Sequence, residues 1–288
     1  MQSLRIRFLR YSAFYAPLLL TLPRLRAAGI DPVFDVVTPT RTIAAGIADG
    51  TVDVAQSALA VSFAPAQQGI SLPFRHFAMM NRFDGFYLVG RGIDAALGLH
   101  ALVGKRVLVD HFFQPHAMFL TALRAHHIDP RSMSIIDAGD PAAMEQAYRA
   151  GEADVLHAQG PAPHQLAAER QGEVFASIGA AVGPVVFSTM CAAPAWLATP
   201  MAATFRDAFD AARADAQRDP PAAVAAAIAH HFPGVEHAAL TRAITDYQRL
   251  GCWTGASQID DALMDRTVEI FQQTGHIVGP VPHSLVTA

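Results

Sequence analysis

Short apolar runs and amphipathic stretches alternate along this chain in a pattern that occurs twice. Leu4 to Leu9, Val33 to Val37 and Val52 to Ala55 read as brief strands buried on both faces, because they are too short for helices and rich in branched residues. Between them, Pro17 suits the first turn of a helix ending near Gly29. The hydroxyls of Thr38 to Thr42 precede a second helix that reaches Asp49 and closes at Gly50. Ser57 precedes a further helical stretch that fails near Gly69. The same order returns as Val107 to Val109, a helix from Pro115 to His126, Ser134 to Asp137, a helix from Pro141 to Ala150, and Val155 to Ala158. Phe86 to Val89 reads as a strand leaving the first unit, Gly90-Arg91-Gly92 as the crossing, and Val185 to Met190 as the return. From Pro200 the pattern becomes helical, with Phe205, Phe209 and Ala212 at helical spacing, a break at Pro220-Pro221, and helices over 224–232, 240–250 and 259–274 before Gly275.

The two units also match residue by residue. Arg5 to Phe8 corresponds to Arg106 to Val109, Ile30-Asp31-Pro32 to Ile128-Asp129-Pro130, and Gly50-x-x-Asp53-Val54 to Gly151-x-x-Asp154-Val155. Duplicated α/β units in one chain predict two α/β lobes with a hinge and an interlobe cleft. Lobe 1 is expected to comprise residues 1–90 with 187–288, its C-terminal helices packed on it, and lobe 2 residues 91–186. Loops at the strand ends would then face each other and clamp a small molecule.

Composition narrows the chemistry. The 288 residues are 52% hydrophobic and 16% charged, with a net charge of −4 and no run of cations, so nucleic acid and anionic membrane surfaces are not expected partners. Lys105 is the only lysine and opens a strand away from the loop that follows, which leaves Schiff-base and pyridoxal chemistry without a suitable amine. Cys191 and Cys252 form no metal-ligand spacing and read as buried free thiols, although the sequence leaves their pairing open. Arg5, Arg7 and Arg10 followed by Tyr11 to Leu22 imitate a secretory signal. Pro17 and Pro23 interrupt that run, and it carries the first strand and helix of a repeat, so it is read as structure. No stretch approaches the ~20 apolar residues of a membrane span. No G-x-S-x-G, H-E-x-x-H or phosphate-loop motif occurs, and Gly90-x-Gly92 lacks a third glycine, position 95 being Ala.

The candidate site is drawn from the strand-end loops. Ser12, Phe14 and Tyr15 match Asp110 to His116 in the other unit, each set lying between a strand and a helix start, where free N–H groups suit anions. Aromatic rings there favour a ring-bearing ligand. The remaining candidates are Thr38, Thr40, Arg41, Ser57, Asp84, His111, Phe112, Gln114, His116, His157, Gln159 and Ser188. Arg41 could bind an anion with two hydrogen bonds. His111, His116 and His157 read as ligand donors, or as acid and base in an enzyme. No cofactor and no metal is expected.

Five segments carry a family resemblance: the two G-x-x-D-V motifs, Leu102-Val103-Gly104-Lys105-Arg106-Val107, Tyr247-x-x-Leu250-Gly251-x-Trp253, and Gly275-His276-Ile277. Through them the chain resembles the type II periplasmic-binding-protein fold, in the solute-binding family for nitrate, sulfonates, taurine and thiamine-pyrimidine precursors, which also contains thiamine-pyrimidine synthases. The resemblance spans essentially the whole chain and implies a monomeric or weakly dimeric binding protein, with an ABC permease as candidate partner. The cysteine-rich motif of the synthases is missing, which argues against their chemistry. An export signal is missing as well, so the location is expected to be periplasmic if a signal was removed and cytoplasmic if the chain starts natively at Met1. A cytosolic enzyme on the same scaffold, a decarboxylase or lyase or one like those of thiamine-pyrimidine biosynthesis, acting on an aromatic or heteroaromatic acid, is the alternative.

Overall fold

The computed structural model describes residues 2–287. The first repeat forms β1 (Gln2–Phe8), α1 (Ala16–Ala27), β2 (Ile30–Val36), α2 (Ile43–Ala48) and β3 (Val54–Ala58), followed by α3 (Phe63–Gln67) and β4 (Arg75–Met79). After β5 (Phe86–Gly90), the second repeat supplies β6 (Arg106–Leu108), α4 (Phe113–Ala125), β7 (Ser134–Ile136), α5 (Pro141–Arg149) and β8 (Val155–Gln159), then α6 (Ala162–Ala168), β9 (Glu173–Ser177) and α7 (Ile178–Val182). The chain returns through β10 (Ser188–Ala192) and α8 (Pro194–Leu197), and ends in α9 (Pro200–Arg218), α10 (Pro221–Ile228), α11 (His237–Leu250) and α12 (Asp261–Gln273).

Two five-stranded sheets result, in the orders β2-β1-β3-β10-β4 and β7-β6-β8-β5-β9. Position by position these are the same sheet: three parallel strands of the repeat, then one antiparallel strand, then an outer strand. The shared G-x-x-D motif has a shared purpose. The backbone N–H and guanidinium of Arg5 bond the Asp53 carboxylate (2.8 and 2.9 Å), and the guanidinium also reaches the Gly50 carbonyl. Arg106 repeats this on Asp154 (2.9 and 2.8 Å) and on the Gly151 carbonyl (3.3 Å). In both lobes the motif therefore ties the turn before the third strand to the first strand. The second-helix caps correspond too: Thr42 accepts from Ala45 N–H, and Asp140 from Ala142 and Ala143 N–H.

The crossing point departs from the sequence expectation. β5 belongs to the second sheet, so the chain changes lobe between Met79 and Phe86 rather than at Gly90-Arg91-Gly92, and the expected division at residue 90 moves upstream. Strand pairing decides this, because Phe86–Gly90 finds hydrogen-bond partners on both sides in β8 and β9. The outgoing and returning segments run side by side: Met80 N–H donates to the Ser188 carbonyl (2.8 Å), Phe187 N–H to Asn81 (3.1 Å) and Val185 N–H to Arg82 (2.8 Å).

Of the C-terminal helices, α9 and α10 pack on α1 of the first lobe, as expected, while α11 also meets α6 and α12 meets α4 in the second. Gly251, left-handed at φ 78°, ends α11 so that Trp253 turns inward, where its indole N–H donates to the Phe14 carbonyl (3.3 Å). Buried apolar side chains run without interruption between the lobes through Phe14, Phe187 and Phe86. Among the described residues no helix is long and apolar enough to cross a membrane.

Candidate functional site

The carboxyl ends of the parallel strands of both sheets converge on a cavity of about 610 Å³ between the lobes. Leu9 to Ser12 and Val36-Val37 form one wall; Phe86, Asp110, Phe112, the start of α5 and the segment from His157 to Ala162 form the other. A small recess opens beneath, bounded by Tyr15, Gln114, Gln159, Phe187 and Ser188.

Each strand-end loop is held by one buried side chain from the neighbouring strand. In the first lobe, Gln56 on β3 accepts through Oε1 from the N–H groups of Leu9 (3.0 Å) and Arg10 (3.2 Å). In the second, His157 occupies the matching place on β8, and its Nδ1 accepts from the Asp110 N–H (3.4 Å). An imidazole accepting at Nδ1 carries its proton on Nε2, so His157 is neutral. Burial agrees, since it holds the pKa of His157 well below the ordinary value, with the nearby Arg10 charge acting the same way.

The loops so positioned present Arg10 and Asp110 to each other across the cleft. The guanidinium grips the carboxylate through both terminal nitrogens, at 3.1 Å for Nη2 to Oδ1. It also lies 5.1 Å from the Phe112 ring centroid and 6.0 Å from that of Phe86. Asp110 further accepts from the Phe112 N–H (2.9 Å). The other carboxylates on this wall are occupied: Asp140 caps α5, and Glu145 pairs with Arg149 (2.7 Å). Arg10 is thus the cationic side chain of the cavity wall. It was passed over in the sequence because Arg5, Arg7 and Arg10 read together as the basic stretch of a signal; its place two residues beyond the end of β1 distinguishes it from the other two.

Seven of the sequence candidates meet at this cleft. Ser12 donates from Oγ to the Gly160 carbonyl of the opposite lobe (2.6 Å). Tyr15 and Gln159 approach across the recess (3.4 Å), and Ser188 borders it. Gln114 donates to the Val186 carbonyl (3.2 Å) and leaves Oε1 without a partner. Phe112 and His157 complete the set.

The others lie apart, for identifiable reasons. Phe14 is fully buried, packed on Tyr247 (ring centroids 4.8 Å) and Phe187 (5.7 Å), so it supports the loop from below. Arg41 pairs with Asp35 on the surface and bridges to Thr38, and Thr40 is exposed beside them; the β2–α2 turn carries all three past the rim. Ser57 is buried within β3, opposite Thr189 of β10. Asp84 is buried at the lobe crossing, where it accepts from Phe86 N–H (2.6 Å) and leaves Oδ2 unpartnered; burial pushes its pKa up to about 8. His111 binds the Val109 carbonyl through Nδ1 (2.7 Å) and stacks on His116, which in turn meets His276 (3.2 Å); none of the three lines the cavity. Both cysteines are free and buried, with thiol pKa values raised by burial. No group of three or more His, Cys, Asp or Glu among the described residues is arranged to hold a metal ion.

Two duplicated lobes, one antiparallel strand inserted fourth in each sheet and a cleft at the strand ends constitute the type II periplasmic-binding-protein fold. Comparison with solved structures gives the same architecture along the full chain. The ligand-binding component of an ABC-type import system from Staphylococcus aureus, with zinc bound, superposes with a TM-score of 0.76 at 17% identity, covering 100% of this chain and 97% of that one. The alkanesulfonate-binding protein SsuA from Xanthomonas axonopodis pv. citri, bound to MOPS, gives 0.73 at 15% identity, with 100% and 98% covered. The desulfurization enzyme DSZB gives 0.64 at 15% identity, with 99% and 98% covered. No protein-family model matches the chain, and no curated protein matches it in sequence.

Proposed function

We propose that the protein is a solute-binding protein whose lobes close on a small, ring-bearing anion, with Arg10 as the anchor for its acid group. The observation that carries this reading is the placement of Arg10 between Phe86 and Phe112, in a cleft where Leu9, Val36, Val37 and Met144 supply apolar wall and the carboxylates of Asp110, Asp140 and Glu145 are already engaged. A guanidinium above apolar walls matches a molecule with an aromatic body and an acidic end. Tyr15, Gln159 and Ser188 in the recess supply hydrogen bonds to a second polar edge. Because both lobes contribute, the full contact set exists only when they are together, so the ligand shifts the population toward closure. An ABC permease is the partner this role requires, and the import and sulfonate-binding proteins of the same fold support it.

A thermal-shift screen of arenesulfonates, arenesulfinates and benzoates against their neutral amides tests the proposal. The anions should raise the melting temperature and the amides should not. Arg10→Gln should remove the shift, equivalent to losing about 1.5–3 kcal/mol for a charged hydrogen bond. Equal shifts in the variant and the parent protein would disprove the assignment.

The desulfurization enzyme of the same fold, a mutant of which is seen in complex with biphenyl-2-sulfinic acid, favours a second reading, catalysis on an aromatic acid. In this chain the histidines nominated for it are badly placed. His111 and His116 lie off the cleft, and His157 is neutral and committed to its loop. Recovery of a bound aryl acid chemically unchanged after prolonged incubation is the expected result.

A further inference from the structure

We propose that Asp110 is a resident counter-anion: its carboxylate fills the anion-binding edge of Arg10 while the cleft is empty, and it thereby sets how strong an acid group a ligand must bring. The ligand half of this proposal rests on the solute-binding reading; the occupancy of Arg10 by Asp110 does not.

The geometry distinguishes this pair from an ordinary surface bridge. Asp110 is 4% exposed, and the side chain of Arg10 19% exposed. The two residues lie two positions beyond the equivalent first strands of opposite lobes, and each is fixed through its own backbone, Arg10 by Gln56 and Asp110 by His157. The carboxylate binds both terminal nitrogens and is itself held by the Phe112 N–H, so it does not wander. A guanidinium carries five donors in a fixed fork. The pair uses one on each terminal nitrogen, and Nε–H together with the other two stays free for a ligand. An incoming acid group must therefore either share Arg10 alongside a like charge or displace Asp110, and like charges brought together without solvent cost several kcal/mol. A neutral acceptor such as a ring carbonyl meets no such repulsion. Asp110 thus acts as a specificity-determining residue against weakly competing anions.

Two measurements on the full chain decide the matter, with Asp110→Asn as the variant. Asn keeps the acceptor for the Phe112 N–H while removing the charge opposite Arg10, and an unchanged melting curve confirms its fold. First, without ligand, nitrogen NMR of the arginine side chains should show hindered guanidinium rotation at Arg10 in the parent protein and free rotation in Asp110→Asn; the resonance is assigned by its loss in Arg10→Lys. Second, calorimetric titration with benzenesulfonate should give an affinity at least about tenfold higher in Asp110→Asn than in the parent, while the neutral benzamide should bind to neither. A freely rotating Arg10 in the parent protein overturns the proposal, as does a benzenesulfonate affinity that is unchanged or lower in the variant. If neither protein binds benzenesulfonate, the anion-binding reading fails, and the rotation measurement alone decides whether Asp110 occupies Arg10.

Discussion

Asp84 is a buried acid in a place where water cannot reach it, and its energetics follow from that. With Oδ2 unpartnered and burial raising the pKa to about 8, the folded protein holds this proton over a range where the unfolded chain, near the ordinary 3.8, has released it. Such a group contributes stability that is complete below the unfolded value and disappears as pH rises through about 8. Asp84→Asn, which keeps the acceptor for Phe86 N–H, should therefore melt close to the parent at pH 4 and several degrees above it at pH 9. A melting difference that does not change with pH would contradict this. Arg10 and Asp84 also show why single residues were the hardest part to read. The charges of both are plain in the sequence, but only tertiary placement shows that one borders the cleft and the other lies sealed at the crossing.

At the scale of elements, nearly all of the repeat was legible, because each copy pairs short branched runs with capped helices in the same order. The G-x-x-D motifs proved to be the joints that tie the third strand to the first. The outer strands β4 and β9 were not legible. β4 carries His76 fully buried at its second position, a residue that breaks an apolar pattern and is satisfied by Ser62 (2.8 Å) and Thr189 (2.7 Å) from other segments. β9 is five residues long and half-buried throughout its centre. Close packing makes a further element-scale prediction at α7. A Cβ on Gly179 would stand 2.2 Å from the Asp84 carbonyl oxygen and 2.8 Å from Leu250. Gly179→Ala should cost about 1–3 kcal/mol in denaturant unfolding; a variant as stable as the parent would show that the backbone at the crossing yields freely.

For the whole molecule, the governing contact is Tyr247. Its hydroxyl accepts from the Gly160 N–H in the second lobe (2.7 Å) and donates to the Gly85 carbonyl in the crossing (3.1 Å), while its ring supports Phe14 beneath the first-lobe loop. The motif Tyr247-x-x-Leu250-Gly251-x-Trp253 marks this keystone in the sequence, though nothing local reveals that its hydroxyl joins the two lobes. Tyr247→Phe leaves a buried N–H and carbonyl short of a partner and should destabilise the protein by about 1–3 kcal/mol, read as a lower denaturant midpoint.

The outgoing and returning segments, zipped together from Met80 to Ser188, carry an architectural consequence. All of the second sheet is spelled by one uninterrupted stretch of chain, whereas the first is assembled from two stretches on either side of it. One half is thus an insertion in the other, entering and leaving by a single doorway, and a tight turn placed at that doorway would close the host's sheet with every strand still present. What such a pruned host would lack is cover for α11 and α12, whose contacts with α6 and α4 leave with the guest.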